Sequence, residues 1–180
     1  GAWAGPVYAA AVVLPSDERI CNLLSGVRDS KRMTAKQRQR WEGCIKSASV
    51  AWAVGYASHL EIDQLGIVQA TCLAMQRSIE QINNPPRYLL VDYINIADCA
   101  SPQLSIPKGD CQSLSIAAAS VLAKVSRDRY VCQVLDRDYP QYQFARHKGY
   151  GTKLHYEMLD RYGPCPEHRM SFLKTWENRK

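Results

Sequence analysis

The chain has 180 residues, 46% of them hydrophobic, and a formal charge of +6, enough for one domain that buries a core without disulfide or metal staples. Its longest uncharged apolar runs, near residues 7–15, 47–60 and 116–123, are too short to span a bilayer and no basic leader precedes the first, so a cytosolic protein is expected. Seven cysteines, an odd and scattered set without a C-x-x-C pair, argue against a zinc site or disulfide framework and read as reduced, mostly buried small hydrophobes.

Gly1, Gly5 and Pro6 are turn formers that run straight into Val7 to Leu14, an apolar, β-branched stretch that predicts a buried strand. With no polar lead-in or capping signal, Gly1 reads as the middle of a loop. "DERICNLL" predicts a short helix and "SGVRDSKRM" a loop. Thr34 with Gln37 forms a capping box that opens a basic helix to about Lys46. Val50, Trp52, Val54 and Tyr56 then alternate with small residues, as a strand does. Ser58 and Glu61 form a second capping box, for a helix with apolar positions Ile62, Leu65, Val68, Cys72, Met75, Ile79 and Ile82; "NNPP" ends it. "RYLLVDYINI" predicts a buried strand, and "SIAAASVLAKVSRDRYVCQVLDRDY" a long helix packed closely through its alanines. A loop at 149–152 leads to a last helix that Gly163 and Pro164 stop. Alternating strands and helices make the expected fold α/β with a layered sheet.

Charge is concentrated at two poles. Residues 28–46 hold seven Lys or Arg against Asp29 and Glu42, and residues 144–180 hold eight against four acids, which leaves the remainder mildly acidic. Such poles suit a polyanion gripped at its backbone, or a solvated helix face and a basic tail.

Two carboxylates stand out. Asp92 interrupts an apolar strand, where an unpaired carboxylate would cost several kcal/mol. It is therefore paired, a metal ligand, or at the strand's C-terminal end facing a cleft. Asp128 follows Ser120 and Lys124 at i, i+4, i+8, a polar stripe on an otherwise apolar helix; it is a functional acid or a surface partner of Arg127 or Arg129. His147, His155 and His168 lack H-x-x-x-H spacing, which disfavours a zinc hydrolase.

"GAWAGPVYAAAVVLP", "DSKRMTAKQR", "EIDQLGIVQATCLAM", "LLVDY", "KGDCQSLSIAAASVLAKVSRDRY", "HKGYGTKLH" and "RYGPCPEHRMSF" together resemble the successive motifs of the type 2 ribonuclease H family, in that family's order and over nearly the whole chain. The resemblance implies a ribonuclease-H-like mixed β-sheet flanked by helices, in a catalytic domain over 1–143 with a basic C-terminal helical segment over 144–180. It implies an endonuclease that cuts RNA in RNA/DNA hybrids and single ribonucleotides in duplex DNA, leaving 5′-phosphate and 3′-hydroxyl ends. Its cofactors would be two Mg²⁺ or Mn²⁺ ions, its partner nucleic acid rather than a membrane, and its intact form a monomer.

Of the family's four metal-binding carboxylates, Asp92 matches the third and Asp128 the fourth. The other two, with the Arg of a Gly-Arg-Gly loop that reads the 2′-hydroxyl, precede the stretch that Gly1 opens, and Gly1 matches the last glycine of that loop. The resemblance thus implies that residues 1–180 alone are inactive, and poorly folded for want of the strand that carries the acids. Tyr150 matches the tyrosine that stacks on the sugar at the RNA to DNA junction, and Ser30, Lys31 and, more loosely, Lys148 match phosphate contacts. Gln112 stands where the family commonly has Lys, and Tyr93 where Gly is frequent, weakening one phosphate contact and crowding the site. The competing expectation is a non-catalytic hybrid-binding protein with a truncated or decayed metal site.

Overall fold

The computed structural model describes residues 1–177 apart from Asp29, Pro85 and Asp98. Strand β1 (Val7–Val13) pairs with β2 (Ala51–Ala57). Val50 N–H donates to Val13 O at 2.8 Å, and Tyr8 stacks on Tyr56 with ring centroids 5.6 Å apart. Those contacts run in opposite chain directions, so the pair is antiparallel.

Between these strands lie α1 (Arg19–Leu23) and α2 (Ala35–Ala48). The predicted capping box closes in both directions: Thr34 Oγ1 accepts from Gln37 N–H at 3.2 Å, and Gln37 Oε1 accepts from Thr34 N–H at 2.9 Å. Two donors that the helix start would otherwise leave unpaired are thereby satisfied.

Helix α3 (His59–Glu80) opens on the second box, where Ser58 N–H donates to Glu61 Oε2 at 2.8 Å. The expected unbroken periodicity fails inside it. Gly66, at φ 78° and ψ 160°, breaks the turn, and the phase of the apolar stripe is lost across the break. Leu65 and Val68 are 49% and 54% exposed, whereas Ile62 and Cys72 are buried.

The strand expected over 88–96 is shorter. Strand β3 (Leu89–Asp92) ends where Tyr93 turns to a positive φ of 67°, and it buries Leu89 and Val91 while Leu90 is exposed. It pairs in parallel with β4 (Gln103–Ile106), Leu89 opposite Gln103 and Asp92 opposite Ile106. Strand β4 was not foreseen: four residues between Pro102 and Pro107 carry too little alternation to read. Helix α4 (Leu114–Tyr130) continues through a π-helical turn over Val131–Leu135 into α5 (Asp136–Asp138). Beyond it come α6 (Phe144–His147), α7 (Lys153–Tyr162) and α8 (Lys174–Glu177). Thr152 caps α7, and Gly163, at φ 69°, ends it as expected.

The chain divides into two compact units. The larger, Tyr8–Tyr56 with Thr71–Ser126, is built around the small face of α4, where Ala117, Ala118 and Val121 pack with Ile20, Leu24 and Ile45. A second cluster in it joins Leu89, Val91 and Ile96 to Met75 and Ile79. The other unit, Gly1–Val7, Ala57–Ala70 and Arg127–Lys180, packs Tyr142, Phe144, Leu159 and Leu173 around Ala4. None of the seven cysteines is in a disulfide, but only Cys72 and Cys165 are buried; Cys21 and Cys111 are exposed, on short helices that bury Ile20 and Gly109 instead.

The segment before β1 makes isolated antiparallel bridges, Ala2 with Tyr150 and Ala4 with His168. Two buried arginines take up its remaining carbonyls. Arg127 donates to Ala4 O and Pro6 O, each at 3.3 Å, and to Lys148 O at 3.1 Å. Arg169 donates to Gly5 O at 2.8 Å and to Pro6 O at 3.1 Å, and is only 3% exposed. Replacing Arg169 by Leu is expected to cost about 3 kcal/mol, since buried carbonyls lose charged donors, and Arg169→Lys to recover less than half because an ammonium cannot span both oxygens. The urea midpoint at constant slope measures this; a loss below about 0.5 kcal/mol would show the clamp to be dispensable.

Candidate functional site

In the larger unit, Asp92 stands at the C-terminal end of β3, half-buried. Its Oδ1 accepts from Gly109 N–H at 2.8 Å. A Cβ on Gly109 would lie 2.6 Å from Ile116 Cδ1, so a larger residue there would have to displace the end of that side chain. Tyr93, next in the chain, is 76% exposed and sits in the left-handed region, which costs a non-glycine residue about 1 kcal/mol.

Ser30, an expected phosphate contact, is 4% exposed, with its Oγ 2.6 Å from Ser120 Oγ and its carbonyl accepting from Arg38 at 2.9 Å. It tethers the loop to α4. Lys31 beside it is exposed. A cavity of about 310 Å³ opens at the start of α4, lined among others by Arg28, Arg32, Asp110, Gln112 and Ser113. Gln112 donates there to Pro107 O at 2.6 Å.

In the other unit, Asp128 lies half-buried in the last turn of α4. The segment that Gly1 opens runs antiparallel to the loop carrying Lys148 and Tyr150: Trp3 N–H donates to Gly149 O at 2.7 Å, beside the Ala2 to Tyr150 bridge. Tyr150 is 42% exposed, and the Arg127 guanidinium carbon lies 5.3 Å from its ring centroid. The Lys148 ammonium meets Cys132 Sγ at 2.8 Å and the Ala145 carbonyl. Those contacts occupy two of the three ammonium donors.

Sequence reasoning missed the interior of this unit. His155 Nε2 lies 2.9 Å from His168 Nε2, His155 Nδ1 3.0 Å from Tyr150 O, and His168 Nδ1 2.9 Å from Cys165 N. His147 stacks on His155 at 4.3 Å. Burial, then the neighbouring rings, pulls His155 down to about 3; burial brings His168 to about 4, and it lowers His147 as well. Burial, then the like charge of Arg127, lowers Arg169 to about 10, still protonated at neutral pH. The signal was the His168–Arg169 pair in "EHRMSF", hidden because charge summed over a segment does not separate buried arginines from solvated ones.

No group of three or more His, Cys, Asp or Glu side chains poised to hold a metal ion occurs among the described residues. Asp92 and Asp128 offer carboxylate oxygens, which suit a hard divalent cation rather than a soft one.

A family model described as ribonuclease HII matches residues 1–175. The chain belongs to the ribonuclease HII family. It is 49% identical over 177 residues to a ribonuclease HII of Geobacillus kaustophilus, covering 98% of this chain and 66% of that protein. To a ribonuclease HII of Caldicellulosiruptor bescii it is 47% identical over 175 residues, covering 97% and 82%. The chain thus spans about two thirds of the first relative and about four fifths of the second. The ribonuclease H2 of Pyrococcus horikoshii superposes with a TM-score of 0.77 over 99% of this chain and 93% of that one, at 22% identity, which bears out the α/β fold with a helical C-terminal region. The ribonuclease HII family is one of type 2 ribonuclease H enzymes.

The neutral histidines give stability a pH signature. His155 and His168 bind protons in the unfolded chain near the ordinary 6.5 but in the fold only at about 3 and 4. Their contribution is therefore complete above about pH 6.5 and is lost as pH falls, by up to about 1.4 kcal/mol per pH unit for each ring. Unfolding midpoints recorded from pH 7.5 to 4.5 should drop, and less steeply in His155→Asn; a flat wild-type profile would mean that these rings are not held neutral.

Proposed function

We propose that this chain forms most of an endonuclease that hydrolyses the RNA strand of RNA/DNA hybrids and cuts at single ribonucleotides in duplex DNA, acting as a cytoplasmic monomer. The observation that carries the reading is the family match over 1–175, with Asp92 at the C-terminal end of a parallel strand. Asp92 and Asp128, matching two of the family's four carboxylates, would give their oxygens to Mg²⁺ or Mn²⁺ ions. Bound there, such ions stabilise charge on the attacking and leaving oxygens of an in-line displacement, which leaves 5′-phosphate and 3′-hydroxyl ends.

The protein's own groups do the rest. Gly109 N–H orients the Asp92 carboxylate. Tyr150, backed by Arg127, offers its ring to the sugar at the RNA to DNA junction, and the exposed Lys31 together with its basic neighbours meets phosphates. Gly1 closes the loop that reads the 2′-hydroxyl, the group that distinguishes RNA from DNA.

In the full-length protein, Asp92→Asn is expected to lower cleavage of a duplex carrying one ribonucleotide by more than about 100-fold. Near-normal cleavage in Mg²⁺ would remove Asp92 from the metal site. Binding should also weaken with salt, at least about tenfold between 50 and 200 mM, because each neutralised phosphate releases counterions. A flat salt dependence would reduce the basic poles to solvated surface.

A further inference from the structure

The hydrogen bonds around His155 and His168 have one consistent direction. His168 Nδ1 lies 2.9 Å from the Cys165 N–H, which can only donate, and 3.2 Å from Cys165 O, which can only accept; the shorter contact, and the acceptor-only Tyr150 carbonyl at the far end of the chain, make Nδ1 the acceptor. The neutral His168 ring then carries its proton on Nε2 and donates it to His155 Nε2 at 2.9 Å. His155 must carry its own proton on Nδ1, and it donates that proton to the Tyr150 carbonyl at 3.0 Å. His147, stacked on His155, is fixed independently: its Nδ1 accepts from Gly149 N–H at 3.2 Å and its Nε2 donates to Tyr142 O at 2.9 Å. The backbone on both sides of the Tyr150 side chain is thus gripped by imidazoles.

The surroundings preserve this order. His155 is fully buried and His168 is 1% exposed. The charged and titratable groups around the cluster include Asp136, Arg146 and Lys148 near His147, and, near His168, the Cys165 thiol at 3.1 Å, the adjacent buried Arg169, and His59 with Glu167, where His59 Nδ1 and Glu167 Oε2 are 3.3 Å apart. Aromatic rings fill the rest: Phe144 meets His155 edge-on at 5.6 Å, and Tyr142 lies 5.1 Å from His168.

We infer that Cys165, His168 and His155 are positioning residues for Tyr150, a one-way hydrogen-bond chain that sets the loop carrying its ring. The inference rests on the reading of Tyr150 as the residue that meets the sugar. A half-exposed tyrosine on an unrestrained loop would lose its freedom on binding each substrate; one already held loses less. The chain leaves the ring outside and fixes the backbone from within.

Two substitutions separate positioning from packing, since both remove the imidazole. His155→Asn keeps a donor near the place of Nδ1 and so keeps the grip on Tyr150 O. His155→Gln keeps an acceptor near Nε2 and loses that grip. Amide hydrogen exchange at Tyr150 and Thr152 should quicken about tenfold in the Gln variant and stay within about threefold of wild type in the Asn variant. In the full-length protein, KM for a duplex with one ribonucleotide should rise about tenfold in the Gln variant with kcat within about twofold, and the Asn variant should rescue it. Equal effects of the two would make His155 a packing residue and overturn the inference. If neither variant folds, nitrogen NMR of the wild-type imidazoles decides instead: protons on Nδ1 of His155 and Nε2 of His168 support the chain, and the opposite tautomers overturn it. Should the wild type show no preference for the ribonucleotide, the proposed function fails, while exchange and tautomers still judge the positioning.

Discussion

A peptide group taken out of water must find a partner, and the segment from Ala2 to Pro6 enters the interior of its unit without joining a ladder of strands. Its solution is arginine. Each guanidinium holds several donors in a rigid plane, so Arg127 and Arg169 between them reach the carbonyls of Ala4, Gly5, Pro6 and Lys148. Isolated bridges hold the same segment to Tyr150 and His168. Because His168 and Arg169 are adjacent, one short stretch of chain anchors the histidine pair on one side and the N-terminal segment on the other. The unit is closed by residues from its two sequence extremes.

That arrangement constrains every ionisable neighbour. Two guanidiniums already share the interior, and the depression of Arg169 by burial and by Arg127 records their mutual cost. A protonated imidazole would add a further charge to a space that offers carbonyl dipoles and aromatic faces. The rings are held neutral first by their own desolvation and, for His155, by the neighbouring imidazoles. Cys165 follows the same rule: burial pushes its thiol up to about 11, so it stays an S–H group 3.1 Å from His168 Nδ1. Asp63 is placed where its charge is matched by donors, accepting from Met170 N–H at 2.8 Å and Ser171 N–H at 3.0 Å.

The parts of the fold legible in the sequence are those set by local chemistry. Thr34 and Gln37, or Ser58 and Glu61, cap whatever helix follows them, and both boxes form. The alanines of α4 announce a close-packed face, which they make. What failed depended on non-local partners. Strand β4 exists because β3 lies beside it; the break at Gly66, by contrast, is a local backbone conformation that an apolar stripe does not reveal. At the candidate site, Asp92 was conspicuous because a carboxylate conflicts with an apolar strand, and that conflict survives in the structure as a strand-end acid held by Gly109. Ser30, expected at a phosphate, has its Oγ 2.6 Å from Ser120 Oγ, a partner 90 positions away that no local pattern discloses. The buried arginines were hidden by the opposite error: in a basic segment, a cation reads as solvated until its burial is known.

The same separation explains how Tyr150 can be both exposed and ordered. Its backbone belongs to the interior, bridged to Ala2 and bonded through its carbonyl to Thr152 and His155. Its ring belongs to the surface, with the Arg127 guanidinium 5.3 Å from its centroid, a cation–π contact that favours one orientation at little cost in accessibility. Arg127 reaches the ring while donating to carbonyls on the N-terminal segment, so the groups that satisfy buried backbone also aim the aromatic face. Stability and recognition therefore draw on the same atoms, and a substitution in this clamp acts on both through one geometry.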